Sequence, residues 1–215
     1  LLSKTTAGYH NLLKLASIAA TDGLYYKPRI DMDLLKKYHE GIICLSACLQ
    51  GDIPAKLLAG DKEGAYAKAQ ELKDIFGEDF YIELQYHGLE DQKKVLFPLI
   101  QLAKALDIQL VATNDVHYVE KKDAFAQRVL MCMSMGKTVT DETALGYGNP
   151  DHWYLKSEDE MTEIFGSIAP EALANTQVIA DKCNVEIELV EQGGYKLPTF
   201  PLPEGWKSNK EYFRT

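Results

Sequence analysis

Apolar residues at Leu12, Leu13, Leu15, Ala16, Ile18, Ala19 and Ala20 recur at helical spacing, which predicts a helix over Thr6–Thr21 with Gly23 as its stop. Asp31 or Asp33 then caps a short helix through Tyr38. The pattern next changes to short unbroken apolar runs, as buried parallel strands require: GIICLS at 41–46, FYIEL at 80–84 and Leu110–Ala112. Between them lie helical patterns at Ile53–Leu58, Lys62–Phe76 (capped by Asp61) and Asp91–Leu106, the last carrying Pro98, which predicts a kink or a restart. Strand, helix, strand, helix, strand is the rhythm of a parallel α/β sheet.

Beyond the third strand the character changes. Lys122–Met135 is a helix whose methionines read as core filler, and Lys137–Asp151 an irregular loop. Ser157 and Glu160 form a capping box ahead of a further helix, and Pro170–Cys183 is a helix with Pro in its first turn. Val185–Val190 alternates like an edge strand, Lys196–Gly205 is a stiff Pro-rich linker, and Asn209–Thr215 starts a new helix. The expected organisation is an α/β unit over 1–136, a helical segment and edge strand over 137–196, and a linker over 197–215. Leu1 in place of Met and the helix starting at 209 read as cut ends, so the chain is expected to be part of something longer.

Composition narrows the function. With 23 basic and 32 acidic residues the net charge is −9, so bulk electrostatics repel a phosphate backbone, although a bound cation inverts the local field. No run approaches the roughly 20 apolar residues of a membrane span, and LLSKTTAGYH is no signal peptide. Cys44, Cys48, Cys132 and Cys183 form no CxxC pair and fit reduced thiols in the cytoplasm. There is no glycine-rich phosphate loop.

Chemistry-bearing side chains sit where the three strands end. Asp115 and His117, two apart on extended backbone, point to the same side and suit a divalent ion such as zinc or manganese. The plainer reading is a turn-capping Asp beside a surface His. Cys48, in the exit of the first strand, is a small buried hydrophobe, a nucleophile with no base nearby in sequence, or a thiolate ligand joining Asp115 and His117. His87, in the exit of the second strand, orients a ligand, holds a phosphate, or satisfies a turn. Arg29, in the aromatic and basic loop Tyr25–Asp31, meets a phosphate or simply clamps helix to sheet. His10, His39 and His152 read as structural or solvated.

The succession YYKPRID (25–31), GIICLSACLQGDIP (41–54), FYIELQYHG (80–88), LVATNDVHY (110–118), GKTVTD (136–141), WYLKSEDEM (153–161), PEALANTQVIADKCNVEI (170–187) and LPTFPLPEG (197–205) resembles the alpha-subunit family of bacterial replicative DNA polymerases. The resemblance runs along nearly the whole chain. It covers the second half of that family's polymerase-and-histidinol-phosphatase (PHP) domain and the link to its palm.

The resemblance implies an α/β fold that is part of a PHP-type distorted (β/α)7 barrel whose carboxyl rim binds up to three metal ions. It maps Cys48, Asp115 and His117 onto the family's last three ligands. An N-terminal His-x-His motif and the middle ligands have no counterpart here, and the polymerase carboxylates with their magnesium lie in the palm. The implied activity is DNA synthesis by the whole subunit, with metal-dependent 3′→5′ exonuclease chemistry at the rim. The implied partners are DNA, a proofreading exonuclease and a sliding clamp. Some members have lost the final His and serve as scaffolds, so a silent scaffold is one alternative. A free-standing phosphoesterase of histidinol-phosphatase type is another. His117 is retained here.

Overall fold

A computed structural model describes residues 1–141, 150–189 and 200–214. Strands β1 (Leu2–Ser3), β2 (Ile42–Leu45), β3 (Phe80–Leu84) and β4 (Gln109–Ala112) form one sheet in that order. β2, β3 and β4 are parallel, in register Cys44↔Phe80 and Leu84↔Ala112, while β1 pairs antiparallel to β2 through Leu2↔Ile43. A two-residue strand leaves no periodicity to detect, so β1 is new to the structure. Helix α1 (Thr6–Thr21) has the predicted bounds, and α2 (Met32–Lys37) follows with Asp31 as its cap. α3 (Asp52–Leu58) and α4 (Lys62–Phe76) link β2 to β3, and α5 (Glu90–Ala105) links β3 to β4. α6 (Ala124–Met135), α7 (Glu158–Phe165) and α8 (Pro170–Lys182) come after the sheet.

The strands are apolar on both faces because both are covered. Ile42, Cys44, Phe80, Ile82, Leu84, Leu110 and Ala112 point into the main core beneath α4, α5 and Phe165. Ile43, Tyr81 and Val111 face the other way, against Ile179 of α8. Each fully buried Ile, Leu or Phe contributes about 1.5–3 kcal/mol relative to exposure, so these runs dominate the fold's stability. Burial also pushes the Cys44 thiol up to about 11, leaving it an inert hydrophobe. Asn175 of α8 donates from its side chain to Leu110 O at 2.7 Å, occupying an acceptor on the last strand.

Polar clasps fix the ends. Asp79, just before β3, accepts from Lys4 at 2.7 Å and from Lys182 at 3.0 Å, tying β1 to the end of α8. Its partial burial would raise its pKa, but the bonds from Lys4 and Lys182 prevail and hold it below the usual carboxylate range. Ser157 accepts from Glu160 N at 3.3 Å while Glu160 accepts from Ser157 N at 2.9 Å, the two halves of the capping box. Replacing Ser157 by Ala is expected to lower stability by about 1 kcal/mol, read as a lower denaturant midpoint at unchanged slope.

Several expectations change. Val185–Leu189 is not a strand: its pairing stops at a parallel bridge of Asn184 with Thr5, because the next residue on that side, Thr6, begins α1. Val190 lies outside the described residues, as do 142–149 of the expected loop and 196–199 of the expected linker. α5 passes through Pro98 without a restart. Met133 (71% exposed), Met135 and Leu130 face solvent, because α6 buries only Ala124 and Cys132. They are therefore not core filler.

The chain divides into two compact units, Leu1–Val185 and Glu186–Thr215. In the second, Tyr212 stacks on Phe200 and meets Trp206 edge-on, and Ser208 caps the expected helix, Asn209–Tyr212.

Candidate metal and phosphate site

Parallel pairing sends the exits of β2, β3 and β4 to one edge of the sheet, the edge at which α/β folds bind ligands. A single carboxylate joins the three exits. Glu83 Oε2 accepts from Ala47 N at 3.1 Å, and Oε1 accepts from the Thr113 hydroxyl at 2.5 Å and the Gln85 amide at 3.1 Å. Glu83 N–H in turn donates to Ser46 Oγ at 2.8 Å. The bond to Ala47 steadies a left-handed backbone (φ 65°) that a non-glycine residue rarely adopts. The Ser46–Cys48 turn is therefore shaped from the neighbouring strand. Glu83 was missed in the sequence; its signal was a lone charge inside an apolar run.

Beyond β4 the chain is held by residues 153–155. Trp153 O accepts from His117 N at 2.8 Å, Tyr118 bridges Tyr154, and the Asn114 amide donates to Tyr154 O at 3.2 Å. This segment brings Asp115 Oδ1 within 3.4 Å of His117 Nε2, both side chains half-exposed. The spacing of two thus places the pair together.

His87 is more confined. Its ring is 1% exposed and lies flat on Trp153, with centroids 4.1 Å apart and planes 5° apart; His117 meets the same indole edge-on at 5.0 Å. Burial, then the charge of Lys156, push the His87 pKa down to about 4, with His117 and His152 adding to the effect and Asp115 opposing it. The His87 backbone N–H donates to Gln92 Oε1 at 2.6 Å, so the Gln92 amide nitrogen faces His87 Nδ1, 2.9 Å away. His152 packs against Gly88, 3.3 Å from where a Cβ would stand, and is thus a close neighbour of His87 rather than a solvated side chain. His39 is likewise engaged, its Nδ1 2.6 Å from Lys36 O.

Cys48 lines a small pocket with Glu83, Gln85, Gln92 and Val95. Arg29 is exposed in the α1–α2 loop, its guanidinium 5.2 Å from the Tyr25 ring centroid. Asp115 and His117 supply the oxygen and nitrogen donors that a divalent cation takes. Among the described residues, no three His, Cys, Asp or Glu side chains gather at metal-binding distance. The donor pair fits a metal by its chemistry, and further ligands would complete its shell.

The fold and rim define a class. Residues 1–87 match the family model described as "PHP domain", and the four-stranded open sheet is consistent with part of a PHP-type α/β barrel. Over 99% of its length the chain is homologous to DNA polymerase III subunit alpha. It is 44% identical over 214 residues to that protein of Treponema pallidum and 43% identical over 212 residues to that of Borreliella burgdorferi. It is 40% identical over 216 residues, all of this chain, to that of Thermus aquaticus. The chain spans 18% of the length of each of these relatives. Among the described residues, no helix is long and apolar enough to cross a membrane.

Proposed function

We propose that this chain is the rim-bearing part of the PHP module of a replicative DNA polymerase, and that its rim acts on phosphodiesters with a divalent ion. The observation that carries the reading is the Asp115–His117 pair at the carboxyl edge, in a chain homologous to the polymerase subunit along 99% of its length. Asp115 and His117 would hold the ion, zinc or manganese, with Cys48 as a third ligand. When bound, the ion supplies Lewis acidity toward a phosphodiester. The chain's own contribution is placement: residues 153–155 fix the Asp115–His117 turn, and Glu83 fixes the turn that carries Cys48. DNA synthesis, with its magnesium, belongs to the rest of the subunit, whose partners would be DNA, a proofreading exonuclease and the sliding clamp, in the cytoplasm.

The test is the metal content of the whole subunit by mass spectrometry, beside Asp115→Asn/His117→Gln, with release of 3′ nucleotides from single-stranded DNA assayed in both. Bound metal and 3′ hydrolysis that both disappear in the variant are expected. Metal-free protein in both cases would sink the reading and leave the rim a scaffold. That alternative is favoured by the absence of a three-donor set among the described residues.

A further inference from the structure

His87 carries a buried polar atom with no role so far. Its Nε2 is shielded from solvent and has no hydrogen-bond partner among the described residues. The identity of that atom follows from the far side of the ring. The backbone N–H of His87 can be satisfied only by an oxygen, which orients the Gln92 side chain with its Oε1 there. The Gln92 nitrogen, a donor, is then left facing Nδ1, so Nδ1 accepts. In a neutral imidazole the proton must sit on Nε2, a tautomer assigned by the network around it. His87 therefore presents an N–H rather than a lone pair. An N–H cannot ligate a metal; it donates to an oxygen. A buried donor left unmatched carries a desolvation cost, which a matching acceptor would relieve.

The surroundings say which acceptor. His87 shares Trp153 with His117, and the Lys156 ammonium is the largest of the neighbouring charges acting on it, against the opposing carboxylate of Asp115. Lys156 is fixed close by through His152 O and Asn114 Oδ1. We infer that His87, locked by Gln92 as an Nε2–H donor, forms with Lys156 a subsite for a phosphate oxygen beside the Asp115–His117 pair. The inference rests on the reading of the rim as a phosphodiester site, and it assigns His87 to the substrate rather than to the metal. Trp153 covers one face of the ring and His152 packs on Gly88 beside it.

Two measurements test this. The first is titration of inorganic phosphate by calorimetry into the whole subunit, in EDTA so that no metal contributes, comparing wild type with His87→Gln and His87→Phe. Gln places an amide N–H close to where Nε2 stands, whereas Phe keeps the stack on Trp153 and donates nothing. About tenfold weaker phosphate binding is expected for the Phe variant and near wild-type binding for the Gln variant. The metal content of the Gln variant, measured separately without chelator, should be unchanged. Equal phosphate affinity in all three proteins overturns the subsite, and loss of metal in the Gln variant makes His87 a ligand instead. Either result can occur whether or not Asp115 and His117 bind metal, so the two readings fail separately.

The second needs no variant. Histidine-selective nitrogen-15 labelling of this chain gives five imidazoles to resolve. One should show a neutral Nε2–H tautomer whose signals move when phosphate is added. An Nδ1–H tautomer for His87, or no response to phosphate, overturns the proposal.

Discussion

Gly8→Ala is expected to cost about 4 kcal/mol and to lower the melting temperature by about 10 °C. A Cβ at position 8 would stand 1.7 Å from Gly41 O and 2.4 Å from Gly41 C, both backbone atoms that no rotamer change can move aside. Nor can the Gly41 carbonyl retreat freely, because it accepts from Lys4 N at 2.8 Å and Thr5 N at 3.4 Å. Relieving the overlap separates α1 from the sheet and breaks these bonds, each worth about 0.5–1.5 kcal/mol, on top of a packing penalty of about 1–3 kcal/mol. Gly41 is held as tightly: it has φ 71°, and its own Cβ would meet Thr5 Oγ1 at 2.4 Å. The pair is the close contact that seats β1 and α1 on β2. Thermal melts of the two single alanine variants check this, and a change below about 1 kcal/mol at Gly8 would contradict it.

The second large effect is an acid-labile contribution from His87. Its folded pKa of about 4 lies below the ordinary 6.5, so between these values the unfolded chain binds more protons and stability rises with pH. The contribution is complete above pH 6.5 and is lost as the pH falls toward 4. The full shift corresponds to about 3 kcal/mol. Part of it comes from Lys156, His117 and His152, and water screens those charges, which leaves about 2 kcal/mol. Asp115, the carboxylate among the groups facing His87, acts in the opposite sense. His87→Gln has nothing to titrate there. Its unfolding free energy between pH 7 and pH 4 should fall by about 2 kcal/mol less than that of wild type, with the other carboxylates contributing equally to both. Parallel pH profiles for the two proteins would rule the account out.

The two effects also mark what could be read in advance. Local signals were sufficient for α1, for β3 at Phe80–Leu84, for α4 with its Asp61 cap and for the Ser157–Glu160 box, because each rests on spacing or on a side chain bonding its own next turn. The two-residue spacing of Asp115 and His117 likewise places them together. Alternation misled at Val185–Leu189, where a strand needs an extended partner and the chain beyond Thr5 is already helix α1. Met133 and Met135 of α6 misled for a related reason: apolar character does not determine which face of a helix finds a neighbour.

The sequence by itself determined the parallel α/β order, the strand exits that share one edge, and the similarity to the polymerase subunit along 99% of the chain. Those depend on period, on short-range capping and on residue identity. The tertiary structure decided the rest. It placed Glu83 across three strand exits, set Gly8 against Gly41, laid Trp153 on His87 and, through Gln92, assigned the His87 proton to Nε2. The Glu83, Gly8 and Trp153 contacts join residues 30 or more apart in the chain, so their geometry exists only once the sheet has paired and the helices have packed. The Gln92 clamp spans only five residues, yet it acts as a proton lock because the surrounding fold keeps water from both partners.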